Sequence, residues 1–165
     1  MFISKDICPV PFDQQPLNEY ISLKNSCFFS WSILPFNEYL QTICYIFGSL
    51  FIVFIPIVLA VMPRYTTIFP FILVDLLVIT FILIFVFVRL YLGWSYVIKR
   101  LVSATVFYEE SGWYDGQIWV KTVDSMTKDR LIGLYEVTPY IDRIKYSLFV
   151  IIMLFLVEGI CYYLI

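Results

Sequence analysis

Three long apolar stretches constrain this chain more than any other feature. Residues 39–62 contain no charged side chain, residues 69–92 contain only Asp75 and Arg89, and residues 146–165 contain only Glu158. The first stretch reaches about 36 Å as a helix, against a bilayer hydrocarbon core of about 30 Å. Composition agrees: 61% of the chain is hydrophobic and 15% charged, where soluble domains have about 45–50% and about 25%. The predicted fold class is therefore a mainly α membrane protein with three transmembrane helices. A tail over 1–38 precedes them, and a polar segment over 93–145 separates the second helix from the third. Pro56 is expected to kink the first helix, Pro63-Arg64 to end it, and Gly93-Trp94 to close the second. The short link between these two makes them an antiparallel hairpin.

In the tail, Pro9, Pro11 and Pro16 exclude regular helix up to that point. Lys5 and Asp6, followed by CPVPF, read neither as a secretory signal nor as a transit peptide. PLNEYISLKNS then reads as a short helix, with Phe28, Phe29 and Trp31 as an interfacial anchor. In the polar segment, alternation over Leu101–Glu109 and Gly116–Val123 predicts two strands. Asp115-Gly116 is a two-residue turn signal, because both central positions must take positive φ. That turn would pair Tyr114 with Gln117, Trp113 with Ile118, Gly112 with Trp119 and Glu110 with Lys121. Asp124 and Ser125 are expected to cap a helix over 126–136, with Leu131, Leu134 and Tyr135 on its apolar side. Thr138-Pro139 is expected to start a last helix that runs through Lys145 into the third span.

Charge gives the topology. With three spans, the tail and the polar segment share one side, which carries Lys5, Lys24, Lys99, Arg100, Lys121, Lys128, Arg130, Arg143 and Lys145; the other side has only Arg64. Cations mark the cytoplasmic or stromal face, so the carboxyl terminus is expected in the lumen or periplasm. Arg89, near the basic end of its helix, is expected to snorkel. Asp75 and Glu158 reach similar depth from the opposite surface, about 9–11 Å by helical rise. They are intramembrane carboxyl candidates, either neutral hydrogen-bond donors between helices or a proton, cation or cofactor contact.

The chain has no histidine, which removes histidine-based acid–base catalysis, metal ligation and haem binding. Glu109, Glu110, Asp115, Asp129 and Asp142 lack metal-loop spacing, and no phosphate loop or nucleophile motif is present, so neither a metal site nor an enzyme is expected. Cys8, Cys27, Cys44 and Cys161 form no C-x-x-C pair and read as structural, Cys44 and Cys161 as small buried hydrophobes. Net charge of −2 does not suggest nucleic acid. The charged and aromatic residues Glu110, Trp113, Tyr114, Asp115, Trp119, Lys121 and Arg130 are left as candidates for docking a partner.

CPVPFDQQPLNEY, FFSW, RLYLGWSYVIKRL, YEESGWYDGQIWVK, KDRLIGLYEVTP and Arg143, spread from Cys8 to Lys145, closely resemble the hypothetical chloroplast reading frame 36 family. That family is known also as one conserved in the green lineage and diatoms. The resemblance implies a cyanobacterial or plastid membrane protein associated with photosynthetic performance under iron limitation or light stress. It carries over no catalytic or cofactor residues. The leading expectation is a non-catalytic thylakoid accessory or assembly factor that docks on a photosynthetic membrane complex or an assembly intermediate. The alternatives are a small carrier or channel component for iron or protons, and a protein contacting chlorophyll, carotenoid or lipid.

Overall fold

The computed structural model describes residues 8–61, 68–109 and 116–164. A 3-10 turn at Phe12–Gln14 leads into α1, Pro16–Asn25, where Pro16 takes the first turn and its missing N–H leaves no ladder bond unmade. The short α2, Cys27–Ser30, and a 3-10 turn at Trp31–Ile33 deliver the chain to α3, Phe36–Val61. Then follow α4, Ile68–Val102, the antiparallel strands β1, Thr105–Glu109, and β2, Gly116–Val120, and α5, Val123–Ile132. A π-helical turn at Gly133–Val137 joins α5 without a break to α6, Thr138–Leu164. Three helical stretches are long and apolar enough to cross a membrane: α3, α4 and the continuous run Val123–Leu164.

The spine is α4. Its buried side chains follow a seven-residue repeat, with Leu73, Thr80, Phe87, Trp94 and Leu101 on one line and Leu83, Leu90 and Val97 on the next. A 3.5-residue apolar period forms a packing seam along a helix. α6 lies antiparallel along it, since Trp94 meets Tyr140 while Thr80, more than three turns back, meets Glu158. α3 packs beside α4 near the same end, where Trp31 stacks on Tyr39 and sets its edge against Phe87. The outward faces stay apolar too, with Tyr45, Ile52, Phe85, Phe149 and Leu156 exposed. Helices apolar all round suit a lipid setting.

At 35 residues α4 extends about 52 Å, well beyond the span predicted for 69–92. Gly93-Trp94 does not close it. Trp94 is fully buried on the seam, and Gly93 lies against the Phe29 ring, where a Cβ would come within 2.7 Å of Phe29 Cζ. Glycine is there for close approach, and packing outweighs its weak helix propensity. Leu101 and Val102, predicted in a strand, end the helix.

The cap of α5 is Thr122, whose Oγ1 accepts the Ser125 N–H, rather than Asp124 or Ser125. Thr138, the first residue of α6, is no free N-cap, because the run from α5 is unbroken: its N–H and Oγ1 both bond the Gly133 carbonyl of the π turn. Pro139 cannot donate the next ladder bond, and the widened turn stands where that bond is lost. Leu131, Leu134 and Tyr135 face outward, while Asp129, Gly133 and Val137 are buried. Cys44 and Cys161, expected to be buried, are exposed on apolar helix faces. Pro63-Arg64 lies outside the described residues.

Gly93→Ala should destabilise the protein by about 1–3 kcal/mol, the usual cost of overpacking. Gly48→Ala and Gly159→Ala, where nothing lies within 4 Å of the added carbon, should be neutral or slightly stabilising. Thermal unfolding in mild detergent checks both; an unchanged midpoint for Gly93→Ala would refute the close contact.

Candidate functional site

The carboxyl end of α4 is built over by the tail, the hairpin and α5. Lys121, just past β2, sends its ammonium back to the helix end, donating to Arg100 O at 2.9 Å and Leu101 O at 3.0 Å. Its third donor meets Asp129 Oδ2 of α5 at 2.6 Å. These carbonyls are orphans of the helix end, and a cation there also opposes the negative end of the helix dipole. Arg130 adds a long contact to Val102 O, and Gly133 lets α5 approach, its would-be Cβ only 3.3 Å from Val102 Cγ2.

The tail closes the other flank. Arg100 pairs with Glu19, bonds Tyr96 OH at 2.8 Å, and reaches the carbonyls of Gln14 and Phe107 at 3.0 and 3.1 Å. Trp94 Nε1 donates to Ser32 Oγ at 2.9 Å, which donates to Phe29 O at 2.6 Å. Tyr20 OH donates to Glu136 at 2.6 Å, and Arg143 lies over the Tyr39 ring while bonding Leu34 O at 2.6 Å. Burial pushes the Tyr20 hydroxyl well up, and the Glu136 carboxylate adds to that by bond and by charge. Burial also raises Glu19, partly offset by Arg100. Ionising Glu19 thus costs more in the folded chain, and its contribution to stability falls as pH rises through that range.

The hairpin differs from its predicted form. Gly116 does not turn; it pairs with Glu109 in the ladder, and the connection runs over 110–115. Gln117, Ile118 and Trp119 sit opposite Tyr108, Phe107 and Val106, not Tyr114, Trp113 and Gly112. Glu110 therefore cannot be the cross-strand partner of Lys121, which bonds Ala104 O through its own N–H at 3.0 Å. Glu110, Trp113, Tyr114 and Asp115 lie outside the described residues. Of the other docking candidates, Arg130 is exposed, and Trp119 is half-buried against Val10, Val106 and Tyr108. Lys121 is buried and serves structure. The hairpin's exposed face went unread in the sequence: Phe107, Ile118 and Val120 are exposed at 68%, 60% and 66%. The signal was there, since both strands carry apolar residues on both faces.

Asp75 and Glu158 are not brought together as a bonded pair. Glu158 accepts the Thr80 hydroxyl at 2.8 Å, a bond between α6 and α4. Asp75 is fully buried, and neither carboxyl oxygen has a partner among the described residues. Arg89 keeps its head exposed, over the Phe29 ring at 5.4 Å. No group of three or more Cys, Asp or Glu placed to hold a metal occurs among the described residues. A groove of about 440 Å³ lies between α3 and α6 on the α4 seam, lined by apolar chains and by Tyr39, Thr80 and Ser147.

Residues 8–150 match the model of the CGLD27-like family, described as conserved in the green lineage and diatoms 27. An uncharacterized protein ycf36 of Porphyra purpurea is 50% identical over 141 residues, covering 86% of each chain. Its namesake in Cyanophora paradoxa is 45% identical over 152 residues, covering 89% of this chain and 92% of its own. An Arabidopsis thaliana protein, named conserved in the green lineage and diatoms 27, chloroplastic, is 41% identical over 140 residues; the match covers 84% of this chain and 43% of that one. No solved structure matches.

Lys121→Met should cost about 3–5 kcal/mol by stranding a buried carboxylate. Lys121→Met combined with Asp129→Leu should recover most of that loss. Denaturation in detergent, followed by tryptophan fluorescence, measures both; equal stability of the single and double variants would refute the coupling.

Proposed function

Because the chain belongs to the CGLD27-like family, conserved in the green lineage and diatoms, we propose that it is a non-catalytic accessory or assembly protein of a photosynthetic complex in the plastid membrane. A plastid setting is supported by the chloroplastic name of the Arabidopsis relative. Three helices of membrane-spanning length and apolarity support insertion. The excess of cations at the hairpin end supports a stromal head with the carboxyl terminus across the bilayer.

One observation carries the docking role. Phe107, Ile118 and Val120 form an exposed apolar face on a hairpin tied to α4 through Arg100 and Lys121. An apolar face held rigidly outside the membrane-length stretch is suited to a protein partner, because little freedom is lost when it binds.

A second reading rests on Asp75, a fully buried carboxyl on an apolar helix with no hydrogen-bond partner among the described residues. Carboxyls inside membrane spans are costly and occur along proton and cation paths, so the alternative is a small carrier or channel component. Absence of proton or iron flux in proteoliposomes removes it.

Phe107→Asp should lower recovery of photosystem, cytochrome or antenna subunits at least tenfold when the tagged chain is purified from solubilised thylakoids. Its own abundance should stay unchanged. Recovery of none of these subunits by the unsubstituted chain would refute the docking role.

A further inference from the structure

The two outer edges of the hairpin are finished differently. Lys121 N–H bonds Ala104 O, so by the antiparallel pattern the hydrogen-bonded pairs are Ala104 with Lys121, Val106 with Trp119 and Tyr108 with Gln117. The N–H and C=O groups of Thr105, Phe107 and Glu109 therefore point away from β2, and those of Gly116, Ile118 and Val120 point away from β1. Side chains close the β1 edge. Ser103 Oγ donates to Thr105 O at 2.8 Å and Arg100 to Phe107 O at 3.1 Å. The Gln14 amide takes both groups of Glu109, donating to its O and accepting its N–H, each at 2.9 Å.

Among the described residues, the β2 edge has no such cover. Among the described residues, nothing bonds the outward groups of Ile118 or Val120, and both residues are exposed. Sheets guard an open edge with charge, proline or a bulge. The strand GQIWV has none of the charges and no proline.

We propose that the outer edge of β2 is a strand-addition site for a second copy of this chain, the two β2 strands pairing antiparallel about Ile118. The strand is complementary to itself in that register. Ile118 meets its own counterpart, and Val120 meets the bare backbone of Gly116 on the second copy. Outward groups then form about six backbone hydrogen bonds. An uncharged strand sets no like charges opposite each other, which is the usual bar to self-pairing. The product is a four-stranded sheet on which Phe107, Ile118 and Val120 of both copies make one apolar face. Pairing uses the edge and leaves that face free, so it stands independently of the docking role and doubles the surface that role uses.

The test uses the full chain in isolated membranes, with Cys8, Cys27, Cys44 and Cys161 replaced by serine. Ile118→Cys should form an intermolecular disulfide on mild oxidation, because a hydrogen-bonded antiparallel pair holds its Cα atoms about 5.5 Å apart. Val123→Cys and Lys128→Cys should not. Ile118→Pro removes an outward N–H while leaving the β1–β2 ladder intact, and should weaken the dimer at least tenfold in sedimentation. Val120→Lys, which alters no backbone bond, should do the same, whereas Phe107→Asp should leave the dimer intact. A monomeric unsubstituted chain, a dimer indifferent to both edge variants, or cross-linking of Ile118→Cys to a different protein would each overturn the assignment.

Discussion

The ammonium of Lys121 is the point on which the head of this protein depends. It comes from the strand side, ends α4 by taking two of its terminal carbonyls, and holds α5 through Asp129. A lysine has three donors and no acceptor, and here two donors hold the end of α4 while the third holds α5. Burying two charges costs several kcal/mol each unless geometry and extra hydrogen bonds offset it. The two carbonyls supply those bonds. Without that closure, β2 has no fixed height against α4, α5 loses its seat on Val102, and the face formed by Phe107, Ile118 and Val120 has no defined position.

The second organising feature is that α4 serves two environments on one seam. Its repeat runs unchanged from Leu73, among apolar helices, to Leu101, under the polar cap. Only the partners change. Near Thr80 they are α6 and a single hydroxyl–carboxyl bond; near Trp94 they are Phe29, Tyr20 and Tyr140 with a serine relay to the indole. The described part of the tail is thus packed into the core. It is the wall that covers the carboxyl-terminal half of α4, with Tyr20, Phe29 and Ser32 set against Trp94.

The three long apolar helices were legible because hydrophobic length is a local property with few rivals. The pairing of tail and hairpin at one end followed from the two long helices between them, and Arg100, Glu19 and Gln14 join the two there. Register was not legible. Asp115-Gly116 is a strong turn signal, but two-residue loops win only when nothing distant sets the strands. Here Gln14 fixes Glu109, Arg100 fixes Phe107 and Lys121 fixes the end of β2. Gly93 misled for a related reason: a helix-ending residue by propensity was selected by the ring of Phe29. Leu131 and Tyr135 misled because apolar residues were assumed to face inward, while the buried place on α5 went to Asp129 as the partner of Lys121.

The unbroken passage from α5 through the π turn into α6 has a mechanical consequence. The head and the apolar stretches share two continuous rods, α4 and residues 123–164, and only residues 103–104 and 121–122 connect the hairpin to them. The hairpin edge is therefore fixed in height and compass heading by the rods that carry it. In a bilayer, two copies would meet as bodies already confined to a plane, with one rotation left to align. The translational and tumbling freedom that association in solution must surrender has mostly been given up before they touch, so a short, uncharged edge of five residues can suffice where a soluble protein would need a wide interface.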